Sequence, residues 1–141
     1  MPNTPRTHTI LVVEDDITLR HVLILQLDKL GIRADSAANG IEALRRVHNF
    51  DYDLILMDIQ MPDMNGLEAA VAIRSHEKQK QHAPIPIIAM TAGAPGVDSS
   101  TCLSLGFNDF VLKPLTLGTL KSLIQKWLGA SNNNEEATNT A

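Results

Sequence analysis

Thiols are almost absent from this sequence. Cys102 stands alone among 141 residues, so no internal disulfide forms and no second thiol exists to build a thiolate metal site. A reducing, cytoplasmic home is expected. Long apolar runs are missing as well. The longest, such as Ile10 to Val13 and Leu54 to Met57, hold about four or five residues, far short of the roughly 20 of a bilayer-spanning helix. The polar start, Met1 to His8, has no signal-peptide core behind it, so neither export nor membrane attachment is expected. Basic charge is in deficit: 12 Lys and Arg against 16 Asp and Glu leave a net −4. With no basic stripe on any segment, the electrostatic footprint of a nucleic-acid binder is lacking, and no direct nucleic-acid contact is expected.

What is present is ordinary for a folded domain. Hydrophobic residues make up 44% and charged residues 20%, and the length suits one core rather than two. Short β-rich apolar runs alternate with amphipathic stretches, the pattern of parallel βα units. Five units can be counted. Thr9 to Val13 is followed by Glu14, Asp15 and Asp16, then by Leu19, Leu23, Leu27 and Leu30 at helical spacing. Gly31 ends that helix. Ile32 to Ala37 reads as a second strand, and Ile41 to His48 as a helix with Ile41, Leu44 and Val47 on one face.

The third strand, Asp53 to Met57, stops at Asp58, and Pro62 to Gly66 marks a loop. Gly66 to Ser75 reads as helix three, and polar His76 to Pro84 as an exposed connection. Ile85 to Met90 is the fourth strand, with Pro86 tolerable only near its beginning. Ala92 to Gly96 reads as a mobile loop before a short helix from Val97 to Leu105. Asp109 to Leu112 is strand five. Thr116 caps the last helix, whose apolar face is Leu117, Leu120, Leu123, Ile124, Trp127 and Leu128. Residues 1–7 are expected to be flexible, 8–129 to fold, and 130–141 to be a disordered polar tail.

On this layout Glu14 and Asp15 follow strand one, Asp58 strand three, Thr91 strand four and Lys113 strand five. The carboxyl ends of an open parallel sheet share one edge, where ligands bind. Three carboxylates there repel one another unless a cation sits among them, and Mg²⁺ suits a few carboxylates plus water and phosphate oxygens. Asp58 is then a candidate nucleophile toward a phosphoryl group, with Lys113 and the Thr91 hydroxyl as partners for phosphoryl oxygens. Singly, each has a plain reading: Asp16 as a helix cap, Asp58 as a solvated loop carboxylate, Lys113 as a surface lysine. Only their joint placement points to chemistry. Phe107, Phe110 and Trp127 read as packing residues, and the five histidines as scattered, with no pair at metal-ligand spacing.

Four ordered blocks carry a family resemblance: Ile-Leu-Val-Val-Glu-Asp-Asp at 10–16, Met-Asp-Ile-Gln-Met-Pro-Asp-Met-Asn-Gly at 57–66, Ile-Ile-Ala-Met-Thr-Ala at 87–92, and Lys-Pro at 113–114. The sequence resembles the receiver domains of two-component response regulators over about residues 8 to 129, in wording most like receivers attached to hybrid sensor kinases. The resemblance implies a flavodoxin-like α/β fold, a doubly wound five-stranded parallel sheet in order 2-1-3-4-5 with five helices. It also implies transfer of a phosphoryl group to Asp58 from a sensor histidine kinase or histidine phosphotransfer protein. It places Mg²⁺ on Glu14, Asp15, Asp58 and the backbone carbonyl of Gln60, a cis bond before Pro114, a switch pairing Thr91 with Phe110, and an effector contact on the face of helix four, strand five and helix five. Phe110 lacks a hydroxyl, so its two states must differ by packing alone. A phosphatase forming an aspartyl phosphate is the enzymatic alternative, but that chemistry wants an aspartate where Gln60 stands. A flavin binder is disfavoured by acid at positions 14 and 15.

Overall fold

A computed structural model describes residues 8–61, 64–93 and 99–129. The terminal segments 1–7 and 130–141, and most of the Ala92 to Gly96 loop, lie outside the described residues. In chain order the elements are β1 (Thr9–Val13), α1 (Ile17–Lys29), β2 (Arg33–Ala37), α2 (Gly40–Asn49), β3 (Leu54–Asp58), α3 (Gly66–Lys80), β4 (Ile87–Thr91), α4 (Ser99–Ser104), β5 (Asp109–Leu112) and α5 (Leu117–Ile124), the last running into a π-helical turn, Gln125–Gly129. All five strands are parallel, in the expected order β2-β1-β3-β4-β5.

Successive strand residues point to opposite faces, and here both faces are covered. Leu11, Val13, Ile55, Met57, Ile87 and Ala89 pack with Ala43 and Val47 of α2 and Ala69, Ala70 and Ile73 of α3. Ile10, Val12, Leu54, Leu56, Ile88 and Met90 pack with Leu23 and Leu27 of α1 and Leu120, Leu123 and Ile124 of α5. This is why β1, β3 and β4 read as unbroken apolar runs rather than as alternating ones. Asp16, Asn39, Asn65 and Thr116 each accept a backbone N–H at a helix start, and Asn65 forms a capping box with Glu68.

Four expectations need correction. β3 ends on Asp58 instead of before it, because the ladder to β4 runs on to the pair Asp58 and Met90. β4 begins only at Ile87: Pro86 donates nothing and stays outside the strand, its carbonyl accepting from the Ile55 amide at 2.9 Å. Ile41 is half exposed, and the inward face of α2 is instead Gly40, Ala43 and Val47. The largest departure is α3, which continues to Lys80 and buries His76 and Glu77. The charge of Glu77 is met inside the fold, by Arg74 at 2.7 Å and by the Ile85 amide at 2.8 Å. Gln81, left-handed at φ 59°, then closes the helix. Residues 78–84 are exposed as expected, but a polar sequence alone did not show that Glu77 is buried with its charge satisfied internally.

Candidate functional site

The carboxyl ends of β1, β3, β4 and β5 bring Glu14, Asp58, Thr91 and Lys113 to one edge. The Glu14 amide extends the ladder onto the Ala37 carbonyl at 3.0 Å, and the Lys113 amide donates to the Thr91 carbonyl at 2.8 Å, so the backbone at both positions is set by the sheet. Glu14, Asp58 and Thr91 are only 1%, 2% and 1% exposed. Buried carboxylates need a counter-charge, and one ammonium serves two of them. Lys113 Nζ lies 2.9 Å from Glu14 Oε1 and 3.1 Å from Asp58 Oδ2. The peptide between Lys113 and Pro114 is cis.

The remaining oxygens are held by backbone. Asp58 Oδ1 accepts from the Gln60 amide at 3.0 Å, and Glu14 Oε2 from the Asp16 amide at 3.1 Å. Arg20 donates to the Glu14 carbonyl at 2.7 Å, and the Thr91 hydroxyl oxygen accepts from the Gly93 amide at 3.0 Å. Asp16 spends one carboxylate oxygen on the amides of Thr18 and Leu19, which commits it to capping α1. Next to Asp58, a Cβ at position 66 would collide with the backbone of Asp58 and Ile59, so the start of α3 closes directly on the end of β3.

Electrostatics follow from this crowding. Burial, with a smaller push from Asp58, raises the Glu14 carboxyl to about 7 against the opposing pull of Lys113 and the Asp16 amide. Burial alone would lower Lys113, but contact with Glu14 and Asp58 outweighs it and holds the ammonium above its ordinary value.

Glu14, Asp15 and Asp58 each offer an oxygen, the three lying within 4.8 Å of one another. Glu14 Oε1 is buried and, despite the nearby ammonium, receives no hydrogen bond of proper geometry. An all-oxygen set with one under-satisfied member fits a hard divalent cation. Of the residues singled out in the sequence, Glu14, Asp15, Asp58 and Lys113 converge, and Thr91 stands at the neighbouring strand end. Gln60 meets Asp58 through its amide. Phe110 is half-buried against the α2 and α3 side of the core and pairs in register with Ala89, whereas Thr91 pairs with Leu112. Sequence reasoning missed Arg20 and the steric role of Gly66; a glycine that opens a helix instead of ending it was the available signal.

The model of the response regulator receiver domain matches residues 10–125. The chain belongs to that family. As a receiver it is 42% identical over 120 residues to hybrid signal transduction histidine kinase G of Dictyostelium discoideum, covering 84% of this chain and 3% of that protein. It is 32% identical over 132 residues to the sensor histidine kinase GacS of Pseudomonas protegens, covering 92% and 14%. The receiver thus spans a small part of these kinases. Among solved structures it resembles the receiver domain of the Pseudomonas aeruginosa sensor histidine kinase PA1611, which has a magnesium ion coordinated in its active-site cleft (37% identity, TM-score 0.78, 88% of this chain and 99% of that one). It also resembles the receiver domain of the Saccharomyces cerevisiae response regulator Ssk1, crystallised with the histidine phosphotransfer protein Ypd1 (34% identity, TM-score 0.82, 89% and 91%).

Proposed function

We propose that this receiver takes a phosphoryl group from a phosphohistidine donor onto Asp58 and signals by binding partners differently in its two states. The observation that carries this reading is the single ammonium of Lys113 shared by two buried carboxylates beside a third. An Asp58 carboxylate oxygen attacks phosphorus, a P–O bond forms as the P–N bond to the donor imidazole breaks, and the electron pair leaves with the imidazole. The Gln60 amide and Lys113 hold the carboxylate in place for attack. As negative charge shifts from the carboxylate to the bound phosphoryl group, Lys113 and the Thr91 hydroxyl are the side chains at hand to take its oxygens. Glu14, Asp15, Asp58 and the Gln60 carbonyl would hold Mg²⁺, which would supply charge neutralisation at the phosphoryl group.

Gln60, where aspartyl-phosphate phosphatases want an aspartate, argues against turnover of external esters, so the only catalysis proposed is the domain's own phosphorylation and dephosphorylation. A sensor kinase or a histidine phosphotransfer protein is the donor class, supported by the Ssk1 receiver captured with Ypd1. The exposed apolar side chains of Ile17, Val22 and Leu25 on α1, the helix that follows Glu14 to Asp16, suit its docking. Leu103, Leu112 and Leu117 are exposed on α4, β5 and α5, which suits an effector on that face, with Thr91 and Phe110 reporting the state of Asp58. No helix among the described residues is long and apolar enough to cross a membrane, in keeping with a cytoplasmic module folded over 8–129.

The test is incubation with a small acyl phosphate and Mg²⁺, followed by intact-mass measurement. Wild type should gain one phosphoryl mass and Asp58→Asn none. A gain that survives the substitution, or phosphate release from unrelated monoesters, overturns the assignment.

A further inference from the structure

The loop that joins β1 to α1 carries two of the three edge carboxylates, and it is pinned on either side of Asp15. On the β1 side the Glu14 amide donates to the Ala37 carbonyl at 3.0 Å, and the Glu14 side chain is held between Lys113 and the Asp16 amide. On the α1 side Asp16 caps the helix through the amides of Thr18 and Leu19. Asp15 stands between them as the exposed member of the cluster. One further contact closes the loop: the Arg20 guanidinium reaches back six residues and donates to the Glu14 carbonyl at 2.7 Å.

Arg20 is itself anchored. It is half-buried, its amide donates to the Asp16 carbonyl at 2.9 Å, and Leu23 and Leu27 of the same helix sit in the core against β1 and β3. A guanidinium donating to a carbonyl makes a charge-assisted bond, stronger than a neutral one, and among the described residues the Glu14 carbonyl accepts from no other group. Rotation about ψ of Glu14 moves that carbonyl and, because the peptide unit is planar, carries the Asp15 Cα with it. Holding the carbonyl therefore fixes the point from which the Asp15 side chain reaches the cluster. In a loop left free to rotate, Asp15 would be ordered only when a cation bound, at a cost in conformational entropy.

We propose that Arg20 is a positioning residue for the cation-binding edge: by holding the Glu14 carbonyl it sets the backbone that presents Asp15, so that the oxygens of Glu14, Asp15 and Asp58 stand together before a divalent cation arrives. The proposal rests on the reading of this edge as a Mg²⁺ site. Arg20 touches neither a carboxylate oxygen of the cluster nor the phosphoryl group; it acts through the backbone, as outer partners do when they orient metal ligands. Charge and position pull in opposite directions here. A guanidinium beside an acidic cluster opposes a cation through space, so on charge alone its removal tightens Mg²⁺ binding, whereas loss of the positioning bond weakens it. The sign of the change decides between the two.

The test is titration of the full chain with Mg²⁺ alone, without a phosphoryl donor, following the amide signals of Asp15, Asp16 and Gln60 by NMR. Arg20→Met removes the donor and keeps the bulk of the stem, and should weaken Mg²⁺ binding about tenfold. Arg20→Lys keeps the charge and a single donor, and should lose less. With a small acyl phosphate, Arg20→Met should need correspondingly more Mg²⁺ for half-maximal phosphorylation of Asp58 and regain the wild-type rate when Mg²⁺ saturates. Unchanged or tighter Mg²⁺ binding in Arg20→Met overturns this proposal alone, as does a rate lowered equally at every Mg²⁺ concentration, since a merely structural role would act in that way. Absence of saturable Mg²⁺ binding in wild type overturns the reading of the edge as a Mg²⁺ site and this proposal with it.

Discussion

Lys113 is the residue on which the electrostatics of the site turn. It faces two buried carboxylates at once, so its removal leaves both uncompensated. Lys113→Met is expected to lower stability by about 3 kcal/mol in Mg²⁺-free buffer, as measured by urea unfolding, and to slow phosphoryl incorporation at least tenfold in Mg²⁺. Gly66 is constrained by contact rather than charge. Its φ is unremarkable, but any Cβ there meets the backbone of Asp58 and Ile59. Gly66→Ala should therefore destabilise by about 2 kcal/mol and also displace Asp58, and loss of stability with normal phosphorylation kinetics would contradict this account.

Among the elements, α3, β4 and β5 are tied at the end remote from Asp58. Arg74 donates to the Gly106 carbonyl, to Glu77 and to Asn108 at 2.9, 2.7 and 2.7 Å, while Asn108 also accepts the Ile87 amide at 2.8 Å. Arg74→Ala strands the buried Glu77 charge and should lower stability by about 3 kcal/mol, read by denaturant midpoint. A second tie joins β5 to the C-terminal helical segment, where Asp109 accepts from Lys126 at 3.0 Å and from the Trp127 indole at 3.2 Å. Burial alone would raise Asp109, but Lys126, the Phe110 amide and Trp127 together hold it below its ordinary value. A carboxyl depressed in the folded state binds fewer protons there than when unfolded, so its contribution is complete above the unfolded value of 3.8 and is lost as pH falls through the lower folded value. Asp109→Asn should accordingly flatten the acid limb of the stability–pH curve, measured as melting temperature against pH.

At the scale of the whole molecule, the sheet is a rigid partition. Helices α2 and α3 cover one face and α1 and α5 the other, and the site sits where the strands emerge between them. A cation that binds only this assembled edge stabilises the fold by mass action. Melting temperature should rise with Mg²⁺ concentration in wild type and stay flat in Asp15→Asn, since Asp15 contributes to the oxygen cluster without belonging to the core. An increment of equal size in both proteins would place the bound Mg²⁺ elsewhere.

The five parallel βα units, the caps at Asp16 and Thr116 and the roll of edge residues were legible in the chain, because hydrophobic period, cap chemistry and strand-end position are local properties, whereas the order of the strands was implied only by the family resemblance. Other features were settled only by packing. Whether a polar stretch is exposed depends on partners distant in sequence, which is why His76 and Glu77 proved buried. That Lys113 bridges Glu14 and Asp58 depends on strand order. The histidines appeared scattered until α2 and α3 lay side by side and stacked His48 on His76, since side chains on separate helices come together only when the helices that carry them are packed.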